Sequence, residues 1–284
     1  MAIGAPPTGA DEKRDGRRFW DSNPCGGQWA TYREFLDWLR RTEPYVYDVL
    51  DRHDWKGKHV LEVGCGQGPV LNHLAAMGAD AVGIDMSAAS ARRALAGATE
   101  LSQIERVRAS VADAENLPFA DATFDAAVSF GVLHHTPDTG RGIAEIRRVV
   151  KPGGTVIVML YRTGNPKWWA TRTARALSSL VDRLSGERSA IANRIRARHA
   201  VNDSRGTALL ELFGVPTLQA FSNRRVRRMF VGFDAIQIRN YSPGFRRLVD
   251  IIPLLRVTEP VLDGMDRRFE QLFGFYQVTE ARRQ

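Results

Sequence analysis

The residues whose types and spacing most clearly suggest a ligand site form a glycine-rich cluster after a short apolar run at 59–63. Glycines let the backbone turn sharply and approach a ligand closely, and the start of a following helix favours negative charge. A dinucleotide site of the common spacing would need a small residue at position 69, where Pro69 stands. The spacing therefore disfavours NAD. The cluster consists of Glu62, Gly64, Cys65, Gly66 and Gly68.

Two carboxylates follow the next two apolar runs. Asp85 can accept hydrogen bonds from both hydroxyls of a ribose, and Met86 after it can lie against an adenine face. Asp113 can accept from an exocyclic amine, and the small Ala114 beside it lets the backbone reach a ring edge. In isolation, Asp85 would be an ordinary helix cap and Asp113 a turn residue. Their joint placement at strand ends favours a ligand site.

The elements that must position these groups alternate between strand and helix. Such alternation predicts βαβ units and a parallel sheet, in which ligands bind outside the carboxyl ends of the strands. We expect residues 1–18 to be disordered, because prolines and alternating charges dominate there. The strands are predicted at 59–63, 81–84, 106–111, 124–130, 155–160, 235–239 and 275–279, with a turn at 151–154.

Five motifs together resemble the class I, Rossmann-like methyltransferases that depend on S-adenosylmethionine, and most of all the branch of the ubiquinone and menaquinone C-methyltransferases. The likeness covers about residues 55–160. The motifs are Glu62-Val-Gly-Cys-Gly-Gln-Gly, Gly83-Ile-Asp-Met-Ser, Ala112-Asp-Ala-Glu-Asn-Leu-Pro-Phe, Phe124-Asp-Ala-Ala-Val-Ser-Phe with the later pair His134-His135, and Val149-Val-Lys-Pro-Gly-Gly.

This resemblance implies an α/β fold with a seven-stranded, mostly parallel sheet whose last strand is antiparallel. It also implies S-adenosylmethionine as cofactor and S-adenosylhomocysteine as product. Carried over, Glu62 and the loop glycines hold the methionine end and Asp85 the ribose. Met86 and the pair Asp113-Ala114 face the adenine, and the backbone near Phe130 binds the methionine amine.

The acceptor side is less defined by the sequence. His134 and His135 lie just past the fourth strand, where an imidazole can act as a base or simply shape the pocket. Aromatic residues from the flanking segments are candidates for the pocket wall, although they can equally be packing residues. They are Trp20, Trp29, Tyr32 and Trp168.

Length and charge suggest the domain organisation. The chain has 284 residues and a net charge of +8, and positions 161–198 carry nine basic residues against two acidic ones. We expect a helical, basic lid inserted after the fifth strand, or else a solvated helical face. The predicted units are a disordered tail (1–18), an N-terminal helical cap (19–54), the cofactor-binding core (55–160), the lid (161–221) and the completion of the sheet (222–284).

The sequence thus predicts O- or C-methylation of a small, partly hydrophobic metabolite that can be anionic. The alternatives are an RNA or protein methyltransferase that uses the basic lid, and a binding protein that retains the cofactor without methyl transfer. Nucleic acid is disfavoured, because Ser129-Phe-Gly-Val stands where amino-methylating nucleic-acid enzymes carry a Pro-Pro tetrapeptide. Two separated cysteines and a polar start predict a cytoplasmic protein, with peripheral membrane contact through the lid as one option. No metal is expected.

Overall fold

A computed structural model describes residues 9–24, 29–185, 215–242 and 258–284. Seven strands form one sheet in the order β3-β2-β1-β4-β5-β7-β6. The order reverses between β1 and β4, where open α/β sheets bind their ligands. The strands are β1 (His59–Val63), β2 (Asp80–Asp85), β3 (Val107–Val111), β4 (Phe124–Phe130), β5 (Val150–Tyr161), β6 (Phe233–Tyr241) and β7 (Tyr276–Arg283).

The first five strands run parallel. Val60 pairs with Ala81 of β2 and with Ala126 of β4, so β1 lies in the centre of the sheet. The last strand, β7, is antiparallel to both β5 and β6. The predicted fold class, including its antiparallel last strand, is therefore confirmed.

Helices cover both faces of the sheet and bury two apolar layers. One layer joins α3, α4 and α5 to β1 and β4, and the other joins α6 and α8 to the opposite face. The helices are α1 (Gly9–Ser22), α2 (Tyr32–Thr42), α3 (Pro44–Leu50), α4 (Pro69–Ala76), α5 (Ala88–Glu100), α6 (Thr139–Val149), α7 (Pro166–Ser185), α8 (Asn223–Met229) and α9 (Glu259–Phe273), with a short 3₁₀ turn at Leu133–His135.

Local signals explain where the core helices begin. Proline is tolerated in the first helical turn, and Pro69 opens α4 directly after Gly68. The Ser87 hydroxyl accepts a hydrogen bond from the Ser90 amide and caps α5. These caps fix the start of each helix next to the strand end that precedes it. Backbone segments after β1 and β2 therefore have little freedom.

Two predictions about local structure are wrong. The tail prediction fails for residues 9–18, which belong to α1; residues 1–8 lie outside the described part. Helix α1 is held by contacts with residues that are distant in the sequence, and the local composition does not indicate such contacts. The predicted turn at 151–154 is instead part of β5, with a register shift against β4 between Phe124 and Ala126. Helix α9 lies between β6 and β7, where no helix was predicted from the sequence.

The predicted lid segment is described at its two ends. Helix α7 begins five residues after β5 ends, and residues 215–221 return to the sheet edge. There the Gln219 amide donates to the His134 carbonyl, and the Phe221 amide donates to the Tyr161 carbonyl. Residues 186–214 lie outside the described residues. Both described ends lie next to the carboxyl ends of β4 and β5.

Candidate functional site

The glycine loop after β1 is held tightly against the neighbouring strand. The amides of Gly64 and Cys65 both donate to the Ile84 carbonyl, at 2.7 and 2.8 Å. Gly64 has φ +78°, and a β-carbon there would meet the Val132 side chain at 2.2–2.7 Å. Only glycine fits this position without strain. The Cys65 side chain is buried against Gly83, so it packs the loop rather than facing a ligand.

Asp85 ties the end of β2 to this loop. Its carboxylate accepts from the Gly66 amide at 2.9 Å and from the Ser87 amide at 2.8 Å. Burial raises the pKa of Asp85, and these two amide hydrogen bonds oppose the rise. Each carboxylate oxygen has a second lone pair, so Asp85 can still accept two hydroxyl groups. The geometry suits the predicted contact with a ribose.

Glu62 brings a buried carboxylate to the same edge. The side chain is almost fully buried, and its Oε2 atom has no hydrogen-bond partner. Burial and the nearby charge of Asp85 raise the pKa of Glu62 well above its ordinary range. A buried acceptor without a partner is costly. An ammonium group such as that of the methionine end would supply the missing donor, so the residues present fit the cofactor that the resemblance implies.

Asp113 is also at this edge, and it already has a cationic partner. Lys13 of α1 places its Nζ atom 2.7 Å from Asp113 and 2.6 Å from Glu115. Burial alone would lower the pKa of Lys13, but hydrogen bonds to both carboxylates raise it. Next to this ion pair, α1 lies against Met86 at Gly16. Helix α1 therefore covers the residues predicted to contact the adenine.

The two histidines have different surroundings. His134 is fully buried, and its ring stacks on Tyr161 with 3.7 Å between centroids. Neither ring nitrogen of His134 makes a hydrogen bond of ordinary geometry. His135 is less buried and lies 3.0 Å from the Thr217 carbonyl through Nδ1. Because a carbonyl only accepts, Nδ1 carries the hydrogen and Nε2 keeps a free lone pair.

Burial keeps both rings neutral. It lowers the pKa of His134 well below the usual range, and the neighbouring His135 adds to this. Burial also lowers the pKa of His135, to about 4. At neutral pH both rings are therefore uncharged. Nε2 of His135 presents a lone pair, whereas the ring of His134 is packed against Tyr161. The sequence alone does not distinguish them.

The His134→Phe variant should reveal this burial as a pH effect on stability. Above pH ~6.5 the histidine is neutral in both folded and unfolded chains, so its ionisation contributes nothing. Below that pH the unfolded chain binds a proton that the folded chain excludes. We expect wild type to lose up to ~1.4 kcal/mol per pH unit relative to the variant.

Urea denaturation at pH 7.5, 6 and 5 measures this difference. The carboxylates and His135 are present in both proteins, so their contributions cancel to first order. Parallel stability curves for the two proteins would show that His134 ionises freely in the folded chain.

The predicted wall residues are not all in one place. Trp20 lies 5.4 Å from His135 between ring centroids, beyond the end of the fourth strand. Tyr32 instead contacts the glycine loop, where its hydroxyl donates to the Gln67 carbonyl at 2.9 Å. Trp29 packs on Phe35 and Trp38 of α2, and Trp168 packs against the core layer that holds α3–α5. Phe130 packs against that same layer at the end of β4.

Sequence reasoning missed several residues at this edge. Tyr161, the last residue of β5, joins the two histidines, and its ring lies 5.8 Å from that of His135. Arg175 of α7 is half-buried, and its guanidinium donates to the Val215 carbonyl at 3.0 Å. Glu115 stood inside a quoted motif, but its partner Lys13 is about a hundred positions away. No local signal connects the two.

The described part of the chain contains no helix that is long and apolar enough to cross a bilayer. Helix α7 exposes Trp169, Leu177, Leu180 and Leu184. Arg172 and Arg183 lie on the same helix, and Arg172 is placed over the Trp169 ring. Peripheral contact with a membrane stays a prediction.

Part of the chain is similar in sequence to known methyltransferases. Residues 61–158 match a family described as a methyltransferase domain. The chain is 40% identical over 108 residues to demethylmenaquinone methyltransferase from Corynebacterium kroppenstedtii, covering 38% of this chain and 43% of that protein. It is 35% identical over 112 residues to a ubiquinone biosynthesis O-methyltransferase from Alkalilimnicola ehrlichii, covering 39% of this chain and 44% of the relative. The chain thus spans less than half the length of either relative.

The fold also has a solved counterpart. The structure of geranyl diphosphate C-methyltransferase from Streptomyces coelicolor A3(2), in complex with Mg²⁺, geranyl diphosphate and S-adenosylhomocysteine, superposes with a TM-score of 0.59 at 18% identity. The alignment covers 99% of this chain and 100% of that one. At this identity the likeness concerns the fold. The family match and the relatives show that residues 61–158 form an S-adenosylmethionine-dependent methyltransferase domain, and the superposition shows that the chain has the class I fold.

Proposed function

We propose that this chain transfers a methyl group from S-adenosylmethionine to an oxygen or carbon of a small, partly hydrophobic metabolite, and that acceptors with an anionic group bind best. The aromatic group beyond β4 and β5 carries this proposal. Trp20, His135 and Tyr161 gather there, next to the strand ends that fit the cofactor. Flat apolar walls with one free imidazole nitrogen suit a ring-shaped acceptor.

The positive charge of Arg175 near His135 supports an anionic acceptor. Arg175 is near enough to His135 that its charge helps lower the pKa of the imidazole. Burial also lowers the pKa of Arg175 itself, which reflects the cost of holding a cation away from water. The positive charge of Arg175 would attract a carboxylate or phosphate on the acceptor. The relatives named for demethylmenaquinone and for ubiquinone biosynthesis support an acceptor from that small-molecule class.

The protein's contribution to the reaction is mainly placement. Bound S-adenosylmethionine supplies a methyl group on a positively charged sulfur, which is already a strong electrophile. The aromatic walls orient the acceptor atom towards that methyl group and exclude water. His135 Nε2 receives the proton that the acceptor loses, while the Thr217 carbonyl holds the ring in the required tautomer.

Contacts within the chain favour a small acceptor over RNA. Arg162 donates to the Leu272 carbonyl, and Lys167 lies over the Phe275 ring. Arg175 donates to the Val215 carbonyl, as described above. These basic groups already interact with other parts of the chain. Fewer of them are therefore available to contact a phosphate backbone. Steep loss of acceptor affinity with added salt would favour RNA instead.

Transfer of a labelled methyl group to a panel of phenols and hydroquinones, with and without a carboxylate, tests the proposal. We expect a methylated product, formed fastest from the anionic members. His135→Ala should lower kcat about 100-fold and leave the affinity for S-adenosylhomocysteine unchanged. Activity within a few-fold of wild type would remove the base role. Cofactor binding without transfer to any acceptor would favour the non-methylating alternative.

A further inference from the structure

Helix α1 crosses the ends of three strands. Lys13 meets Asp113 beyond β3, and Gly16 lies against Met86 beyond β2. Asp21 accepts a hydrogen bond from the Ser87 hydroxyl at 2.7 Å. Trp20 reaches His135 beyond β4. One helix therefore touches both the cofactor half and the acceptor half of the site.

The packing of α1 is slight for a helix of 14 residues. Its buried residues are Gly16 and Phe19. Phe19 packs with Val215 and Trp20 in a small cluster that is separate from both layers of the main core. Elements with few buried apolar contacts open at low free-energy cost. Polar contacts at the sheet edge therefore help to hold α1 in place, among them the ion pairs of Lys13 and the hydrogen bond of Asp21.

The two carboxylates that bind Lys13 are not equivalent. The Glu115 side chain is only 8% exposed, and its second oxygen accepts from the Asp138 amide at 2.7 Å. The Asp113 side chain is 36% exposed. Removing the cation from a buried carboxylate costs more than removing it from a partly solvated one. Glu115 is thus the fixed anchor of Lys13, and Asp113 is the partner that can be exchanged.

We propose that α1 is a lid on the cofactor pocket and that Lys13 is the positioning residue that couples cofactor binding to the acceptor wall. When the cofactor binds, its adenine amine donates a hydrogen bond to Asp113 in place of Lys13. Lys13 stays paired with Glu115. The lid opens to admit the cofactor and then closes again with Trp20 against His135, the position it has in the structure, so the acceptor pocket is complete only while the lid is closed. This proposal rests on the proposed function.

The coupling follows from the geometry of a rigid helix. Lys13 and Trp20 are seven residues apart, which is two turns, so both side chains lie on the same side of α1. A movement that frees Lys13 from the sheet edge also withdraws Trp20 from His135. The same movement also loosens the segment at 215–221, because Val215 packs on Phe19.

Lys13→Met tests the lid, with Arg14→Met as its matched control. Arg14 is on the same helix and loses the same charge, but it pairs with Asp11 within α1. In Lys13→Met, we expect the association and dissociation rates of S-adenosylhomocysteine both to rise about five- to tenfold, with a smaller change in Kd. Arg14→Met should stay within twofold of wild type. A rise in the dissociation rate alone, or equal behaviour of the two variants, overturns the lid.

Hydrogen exchange in the ligand-free protein separates this proposal from the proposed function. In Lys13→Met, amides in residues 9–22 should exchange about five- to tenfold faster, while those in β1 and β4 stay unchanged. Faster exchange must extend to residues 215–221. If it is confined to 9–22, the coupling is refuted, and if it is absent, the lid is refuted. Failure of wild type to bind S-adenosylhomocysteine would instead contradict the proposed function.

Discussion

Replacing Asp85 by alanine should weaken the binding of S-adenosylhomocysteine about 10- to 100-fold, which corresponds to hydrogen bonds that involve a charged group. The variant loses an acceptor for the ribose hydroxyls. It also leaves the amides of Gly66 and Ser87 without their carboxylate partner, so the loop after β1 is less well ordered. Calorimetric titration of wild type and variant measures the change.

Asp80→Ala provides the matched control for this experiment. Asp80 opens the same strand that Asp85 ends, and it is exposed at the opposite edge of the sheet. Its replacement should leave cofactor affinity within twofold of wild type. If Asp85→Ala also binds normally while remaining folded, Asp85 is an N-terminal cap and not a ligand-binding residue.

Gly64→Ala should have the largest effect on the fold of the site. The new β-carbon would lie within 2.7 Å of three Val132 side-chain atoms, in a backbone conformation with φ +78°. Backbone strain and overpacking together should cost about 2–5 kcal/mol of unfolding free energy. Displacement of the loop should also abolish measurable cofactor binding.

Gly66→Ala separates strain from collision. Gly66 also has a positive φ, +52°, but a β-carbon there meets nothing within 4 Å. This variant should lose only about 1–2 kcal/mol. Urea denaturation of both variants measures the comparison. Equal losses would mean that the contact between the loop and Val132 is not tight in solution.

The sequence predicted the sheet and the cofactor edge well because their signals are local. A short apolar run followed by glycines predicts a buried strand and its turn, and β1 has the predicted bounds. Asp85 was predicted at the end of β2 and lies there, with hydrogen bonds to the loop. In each case the residues that decide the structure are close together in the chain.

The contacts that the sequence did not predict join distant parts of the chain. Lys13 reaches Asp113 across a separation of 100 residues, and composition near Lys13 favoured disorder. The burial of His134 depends on Tyr161, which no spacing rule connects to it. The placement of Tyr32 on the glycine loop depends on how α2 docks. Such contacts follow from tertiary packing, which overrides local propensity.

Titration of the protein with S-adenosylhomocysteine, and separately with NAD, tests the central claim most directly. Pro69 stands where a dinucleotide site needs glycine or alanine, whereas Glu62, Asp85 and the glycine loop fit S-adenosylmethionine. We predict one binding site for S-adenosylhomocysteine, with a dissociation constant in the micromolar range, and no binding of NAD. Binding of NAD without binding of S-adenosylhomocysteine would contradict the account.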